Sequence, residues 1–224
     1  MVIVRRGVGV EGARSATGVV VIIDVLRAFS VSAYALAAGA RECLLVATVE
    51  EALSLAGSVP GAVVSAEAHT LPIPGIAISN SPTQITQADL AGRTLIQRTS
   101  AGTPTINAVT DALEIYAAGL VVARATAIAC LSSSTGSVTL VASADLPEDH
   151  ACARYIESII RGEVPDLDEL LRPLFESERY RRFMQGDWPG FPKSDLELSL
   201  AADRFDFAMR ATRAHGHVRL HEQR

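Results

Sequence analysis

Lysine is nearly absent: of the 20 basic residues in this 224-residue chain, one is lysine, Lys193, and the rest are arginine. A phosphate loop ending in Gly-Lys-Ser/Thr, or a Schiff base, has that single candidate, and it sits in neither context. Cysteine is scarce as well. Cys43, Cys130 and Cys152 are an odd number without a Cys-x-x-Cys pair; this excludes a disulfide scaffold and structural zinc, and predicts reduced thiols in a cytoplasmic protein. There is no basic block, the net charge is -5 and the pI is near 5.5, so nucleic acid is not an expected partner. Long uninterrupted apolar runs are missing too, because Asp24, Arg27, Arg41 or Glu42 break the longest ones. No membrane span is expected. The short apolar run at the N-terminus has charges around it and does not read as a signal peptide.

What remains is 49% hydrophobic and 20% charged, enough to bury a sizeable core, and the length fits one domain over 1–224. Residues 18–23, Gly-Val-Val-Val-Ile-Ile, form a β-branched run ending at Asp24. Such a run predicts a strand buried on both faces, as in a parallel sheet. An alanine-rich helix over 27–38, closed by Gly39, follows it. Strand 42–47, helix 49–56 and strand 62–66 continue the rhythm. The expected fold class is α/β, a mostly parallel central sheet flanked by helices. Residues 67–82 hold Pro72, Pro74 and Pro82 and predict a long loop of functional interest. Beyond it come a strand at 94–97, a helix from 103 to about 113, short strands at 114–118 and 120–123, a helix at 126–131, a strand at 138–142 and a helix from 147 to about 160. Residues 163–192 hold four prolines, many charges and the one tryptophan, Trp188. They predict a partly helical C-terminal excursion with helical pieces at 167–174 and 176–184. A helix at 194–203 and strands at 205–209 and 217–220 return to the main body.

Ligands in open α/β sheets bind beyond the carboxyl ends of the strands. That rule selects Asp24 and Arg27 after the first strand, Glu67 after the third, the 98–103 segment after the fourth, and Glu148 and Asp149 after strand 138–142. Together they suit an anionic substrate, with or without a divalent metal. Asp24 is either a helix N-cap or a metal ligand or acid–base group. Arg27 is either its ion-pair partner or a bidentate oxyanion fork. Arg98, Thr99, Ser100, Gly102 and Thr103 supply a guanidinium, hydroxyls and a glycine before a helix, which suits a phosphate cradle and equally a Ser/Thr-capped helix start. Glu148 and Asp149 open a helix, where acidic residues also complement its dipole. Cys152, near the same helix start, is a possible thiolate, but six residues on stands Ser158, not the arginine of cysteine phosphatases. His215, His217 and His221 can chelate a metal or form a solvated end. Asn80-Ser81-Pro82 reads as a turn into a helix with proline at its first position.

Taken together, Asp24-Val-Leu-Arg-Ala28, Asn80-Ser81-Pro82, Arg98-Thr-Ser-Ala-Gly-Thr103 and Glu148-Asp149 with Cys152-Ala153 resemble the 2-phosphosulfolactate phosphatase family, over about residues 15–215. The resemblance implies a magnesium-dependent hydrolase of a small sulfonated phosphoester in coenzyme M biosynthesis, and a homo-oligomer, taken as a dimer. The family usually carries Gly-Glu followed by Arg or by Val-Gly-Gly where this chain has Ala66-Glu-Ala-His-Thr70, and Ser79 and Phe29 also depart from it.

On that basis Asp24, Glu67 and Asp149 are expected to hold Mg²⁺, a hard cation that takes oxygen ligands. Arg27, Arg98 and Arg124 are expected to neutralise phosphate and a second anionic group. Asn80, Ser81, Thr99, Ser100, Gly102 and Thr103 are the other substrate-binding candidates, Glu148 the acid or base, and Cys152 a further catalytic candidate. Three other readings stay open: a non-catalytic anion-binding protein on the same scaffold, a phosphatase of altered substrate, and a thiol-dependent enzyme using Cys152.

Overall fold

The computed structural model describes residues 2–186, 188–214 and 216–224; His215 lies outside them. In chain order the elements are β1 (Ile3–Val8), α1 (Gly9–Arg14), β2 (Val19–Ile23), α2 (Ala28–Ala37), β3 (Glu42–Leu45), α3 (Val49–Ser58), β4 (Val63–Ala68), β5 (Leu71–Pro72), α4 (Pro82–Thr86), β6 (Thr94–Arg98), α5 (Gly102–Asn107) and β7 (Glu114–Ala118). A 3₁₀ turn (Leu120–Val122) precedes α6 (Ala123–Ser132), β8 (Ser137–Ala142), α7 (Pro147–Ile160), α8 (Leu167–Phe175), α9 (Glu178–Gln185), α10 (Lys193–Leu200), β9 (Ala208–Ala214) and β10 (His217–Gln223).

The sheet order is β1-β8-β2-β7-β9-β10-β3-β6-β4-β5. β1, β8, β2 and β7 run parallel to one another, as do β3, β6 and β4. Between the two groups sits the β9–β10 hairpin, antiparallel within itself and to both neighbours. Three reversals of sense therefore set the second group opposite to the first. Twist resolves the apparent separation of their carboxyl ends. At roughly 20–25° per neighbouring pair, the five steps from β2 to β6 turn the strand direction through about 100–125°. The two groups cross at a slant, and the ends of β2, β8, β4 and β6 converge.

The all-apolar β2 is buried along its whole length, as a strand covered on both faces must be. Helix α2 is buried at nine of its ten positions, apolar on all sides and hence central. One core runs from Ala13 to Leu220 and takes in Leu171, Leu174, Phe183 and Phe191 from the 163–192 excursion. Caps mark several helix starts: Thr48 accepts from Glu51 N, Ser81 from Gln84 N, Asp166 from Glu169 N and Ser177 from Tyr180 N. Among the described residues no helix is long and apolar enough to cross a membrane.

Several sequence expectations need correction. No elements are expected before residue 18, where the structure has β1, a largely exposed edge strand holding Arg5 and Arg6, and α1. Residues 120–122 form a 3₁₀ turn and not a strand, because Val122 N bonds back to Gly119 O. The helix after 102 ends at Asn107, and the last helix ends at Leu200.

Candidate active site

Asp24 follows β2 directly and is 6% exposed. Its Oδ1 accepts from Ala28 N at 3.0 Å, the first N–H of α2, although Arg27 and not Asp24 holds the N-cap position. Its Oδ2 accepts from Ser143 Oγ at 3.0 Å. Ser143 comes just after β8, the strand beside β2, and its Oγ also lies 3.4 Å from Asp149 Oδ2. Asp149, in the first turn of α7, accepts from Val25 N at 2.8 Å. Adjacent parallel strands thus place two buried carboxylates around one hydroxyl. Burial raises both pKa values, and the charge of Asp24 pushes Asp149 well above the ordinary carboxylate range.

Each remaining acid of the cluster has an arginine. Glu148 Oε1 accepts from Arg179 Nε at 2.9 Å, and burial raises the Glu148 pKa against that pairing. Asp195 Oδ2 accepts from Arg27 Nη1 at 2.7 Å. Glu67 Oε1 stands 3.9 Å from Arg98 Nη1. Among the described residues Asp24 and Asp149 have no ion-pair partner. The Arg179 charge draws the Asp24 pKa down against its burial.

Glu67 lines the same cavity as Asp24, and both of its oxygens are engaged by backbone N–H groups. Its Oε1 accepts from Ser100 N at 2.6 Å and its Oε2 from Thr70 N at 2.5 Å, so both oxygens clamp loops. His69 and Thr70 form the two-residue turn between β4 and β5 with φ of 52° and 70°. Positive φ at a β-branched residue is strained, and here it falls in the segment where this chain lacks the glycines that the family pattern carries.

The 98–103 segment is likewise largely engaged with itself. Thr99 Oγ1 accepts from Thr103 N at 3.0 Å and pairs with Thr103 Oγ1. Ser100 Oγ donates to Glu67 Oε2 at 3.2 Å. These hydroxyls cap and clamp, and Thr99 and Ser100 also line the cavity beside Asp24. Ser81 Oγ donates to Asp195 Oδ1 at 2.7 Å and Asn80 Oδ1 accepts from Gln97 Nε2 at 3.3 Å. Arg27, 2% exposed, also donates from Nη1 to Gly190 O at 2.6 Å and lies under the Phe191 ring, 3.3 Å from its centroid. Arg98 donates from Nη1 to Glu67 O at 2.5 Å. The Nε of each arginine is buried without a partner, which leaves an edge of each guanidinium to be satisfied by something else.

A cavity of about 60 Å³ is lined by Asp24, Arg27, Glu67, Asn80, Ser100 and Phe191, among others. By occupied volume it has room for roughly four to six waters, enough for one oxyanion. Two predicted residues stand apart. Arg124 pairs with Asp203 at 3.1 Å and lines a different pocket. Cys152 is fully buried, and burial raises its thiol pKa well above the ordinary value, the reverse of an activated nucleophile. Ser143, Arg179, Phe191 and Asp195 were not among the residues expected here. The one legible hint was the aromatic and arginine content of 179–191.

Asp24, held with Asp149 around the Ser143 hydroxyl, shares a cavity with the Arg27 guanidinium, an arrangement suited to the class of enzyme that handles oxyanions. The comparisons specify which class. The chain belongs to the 2-phosphosulfolactate phosphatase family: the family model described as 2-phosphosulpholactate phosphatase matches residues 9–209. It is 31% identical over 194 residues to a probable 2-phosphosulfolactate phosphatase of Bacillus subtilis (strain 168), covering 85% of each chain. A probable 2-phosphosulfolactate phosphatase of Caldanaerobacter subterraneus subsp. tengcongensis is 29% identical over 206 residues, covering 84% of this chain and 85% of its own. One of Carboxydothermus hydrogenoformans is 34% identical over 144 residues, covering 63% of this chain and 60% of its own. The chain is a phosphoric monoester hydrolase by class.

Proposed function

We propose that this chain releases phosphate from 2-phosphosulfolactate, giving sulfolactate, and that Mg²⁺ takes part. The observation that carries the reading is the cavity in which the Asp24 carboxylate, joined through Ser143 to Asp149, meets the Arg27 guanidinium, whose Nε lacks a partner. Among the described residues no three His, Cys, Asp or Glu side chains group as a metal site. Two hard oxygen donors nevertheless fit Mg²⁺, which keeps several waters and is held by one or two carboxylates plus substrate phosphate. Asp24 and Asp149 would hold it; when bound it supplies Lewis-acid polarisation of phosphoryl oxygen and water.

The chain's own residues do the rest. Arg27 meets an oxyanion with its free edge, bidentate and charge-assisted. Arg98 is the second such cation, suited to the sulfonate or carboxylate of the same substrate. Phe191 and Leu26 give the cavity apolar walls, which strengthen each charge–charge contact inside it. Glu148 is the group suited to hold a proton for the leaving oxygen, since burial raises its pKa and its Oε2 has no partner. Ser143 fixes the spacing of the two carboxylates. A cytoplasmic location and a homodimer complete the proposal; sedimentation velocity tests the second.

The experiment is phosphate release from a panel of small phosphoesters, including 2-phosphosulfolactate and phospholactate, with Mg²⁺ and with EDTA. Metal-dependent release, fastest with the sulfonated substrate, is expected. Tight binding of the panel in calorimetry without release would favour a binding protein instead.

A further inference from the structure

Asp195 lies on α10, beyond the helical excursion, and is fully buried. Its carboxylate takes three donors from two other segments. Oδ2 accepts from Arg27 Nη1 at 2.7 Å. Oδ1 accepts from Ser81 Oγ at 2.7 Å and from Thr83 N at 2.9 Å. One acid therefore joins the start of α2, the start of α4 and α10.

The consequence for Arg27 is directional. A guanidinium has a planar fork of five N–H donors and recognises an oxyanion best when one whole edge is presented. Nη1 is occupied by Asp195 and Gly190 O, and Phe191 covers one face. The Nε side is the part left over: Nε is buried and has no partner in the protein. A buried charged donor without an acceptor is costly. Arg27 lines the cavity beside Asp24, where an incoming acceptor can satisfy that donor.

We propose that Asp195 is a positioning residue for substrate recognition: by gripping Arg27 Nη1 it aims the free Nε–Nη2 edge of Arg27 into the cavity, so that an incoming oxyanion meets a fixed fork. The identity of that oxyanion as a phosphoester's rests on the function proposed above; the fork itself does not. Asp195 touches no substrate and acts through Arg27. Phosphorus chemistry is unaffected by it, and its effect falls on binding.

The test uses the full chain and two readouts: the Kd of inorganic phosphate by calorimetry, and kcat and KM for the best phosphoester of the panel. Asp195→Asn keeps the shape and removes the charge. It is expected to stay folded, to raise KM and the phosphate Kd by roughly 10–100-fold, as loss of an orienting partner does elsewhere, and to change kcat far less. Arg27→Gln is expected to lose the same factor, and Asp195→Asn to add nothing on that background, because the two act as one unit. A folded Asp195→Asn protein with unchanged KM and phosphate Kd overturns the proposal. So does full additivity of the two substitutions. If Asp195→Asn does not fold, Arg27→Lys decides, since it keeps the charge and lacks the Nε edge: unchanged phosphate affinity in that variant overturns the proposal, and a loss supports it. Wild-type protein that binds no phosphate also overturns it. Wild-type protein that binds phosphate with an affinity lowered by Asp195→Asn, but hydrolyses nothing in the panel, leaves the fork standing and sinks the phosphatase reading alone.

Discussion

A methyl group on Gly102 would lie 3.0 Å from Asp24 Oδ2. The same group would meet Ala28 Cβ at 3.0 Å and Phe29 Cζ at 3.3 Å. The glycine is there for space, not for an unusual backbone angle, and it lets the start of α5 close on the carboxylate at the end of β2. Gly102→Ala is expected to displace Asp24, lower kcat by roughly tenfold or more and cost about 1–3 kcal/mol of stability through overpacking. Steady-state kinetics beside a thermal melt check this; full activity would mean that Asp24 tolerates the shift.

Asp149→Asn is expected to remove activity and raise stability at neutral pH. The folded-state pKa of Asp149 lies well above its ordinary value, first through burial and then through the charge of Asp24. For a raised acid the charged form is the disfavoured one. No penalty exists below the unfolded value near 3.8. The penalty grows as pH rises from there through the raised folded pKa, and it is constant above it. Melts in EDTA should show the variant gaining on the wild type as pH rises through that window, reaching about 1 kcal/mol, or roughly 2–4 °C at this size. A gap that shrinks with rising pH contradicts the assignment.

All three thiols should be inert in the native state. Cys43, Cys130 and Cys152 are buried, and burial raises each pKa, that of Cys130 to about 12. Iodoacetamide at pH 8 should label none of them until denaturant is added, and treated native enzyme should keep its activity. Alkylation of Cys152 with proportional loss of turnover would restore the thiol mechanism.

Gly190 has φ of 75°, and a Cβ there would sit 2.6 Å from two ring carbons of Pro72. Gly190→Ala therefore combines a left-handed backbone with a clash against a stiff ring, at a cost of about 1–3 kcal/mol. Because Gly190 O accepts from Arg27, KM should rise along with the loss of stability. A variant as stable as wild type with unchanged KM would show that the Gly190–Pro72 contact is not formed in solution.

The sequence made the frame readable because local signals and tertiary burial agree there. The five apolar residues of β2 are all buried, Pro82 opens α4 behind the Ser81 cap, and Pro147 opens α7. Asp24 stands out because a carboxylate directly after a buried strand is conspicuous. Asp195 and Ser143 do not, since an acid in a first helical turn and a serine after a strand are ordinary and only the fold brings them to Arg27 and Asp24. Glu67 shows the converse: its position at a strand end was legible, but its two loop contacts depend on residues 3 and 33 positions away. The opposed senses of the two parallel groups were invisible as well, because periodicity identifies a strand and not its direction in the sheet.

The most direct measurement is phosphate release from 2-phosphosulfolactate by wild type and Asp24→Asn, side by side, with folding of both verified. The account predicts turnover in the wild type and a loss of roughly 10³-fold or more in the variant, as expected when a group acting on the transition state is removed. Equal turnover by the two proteins would contradict it.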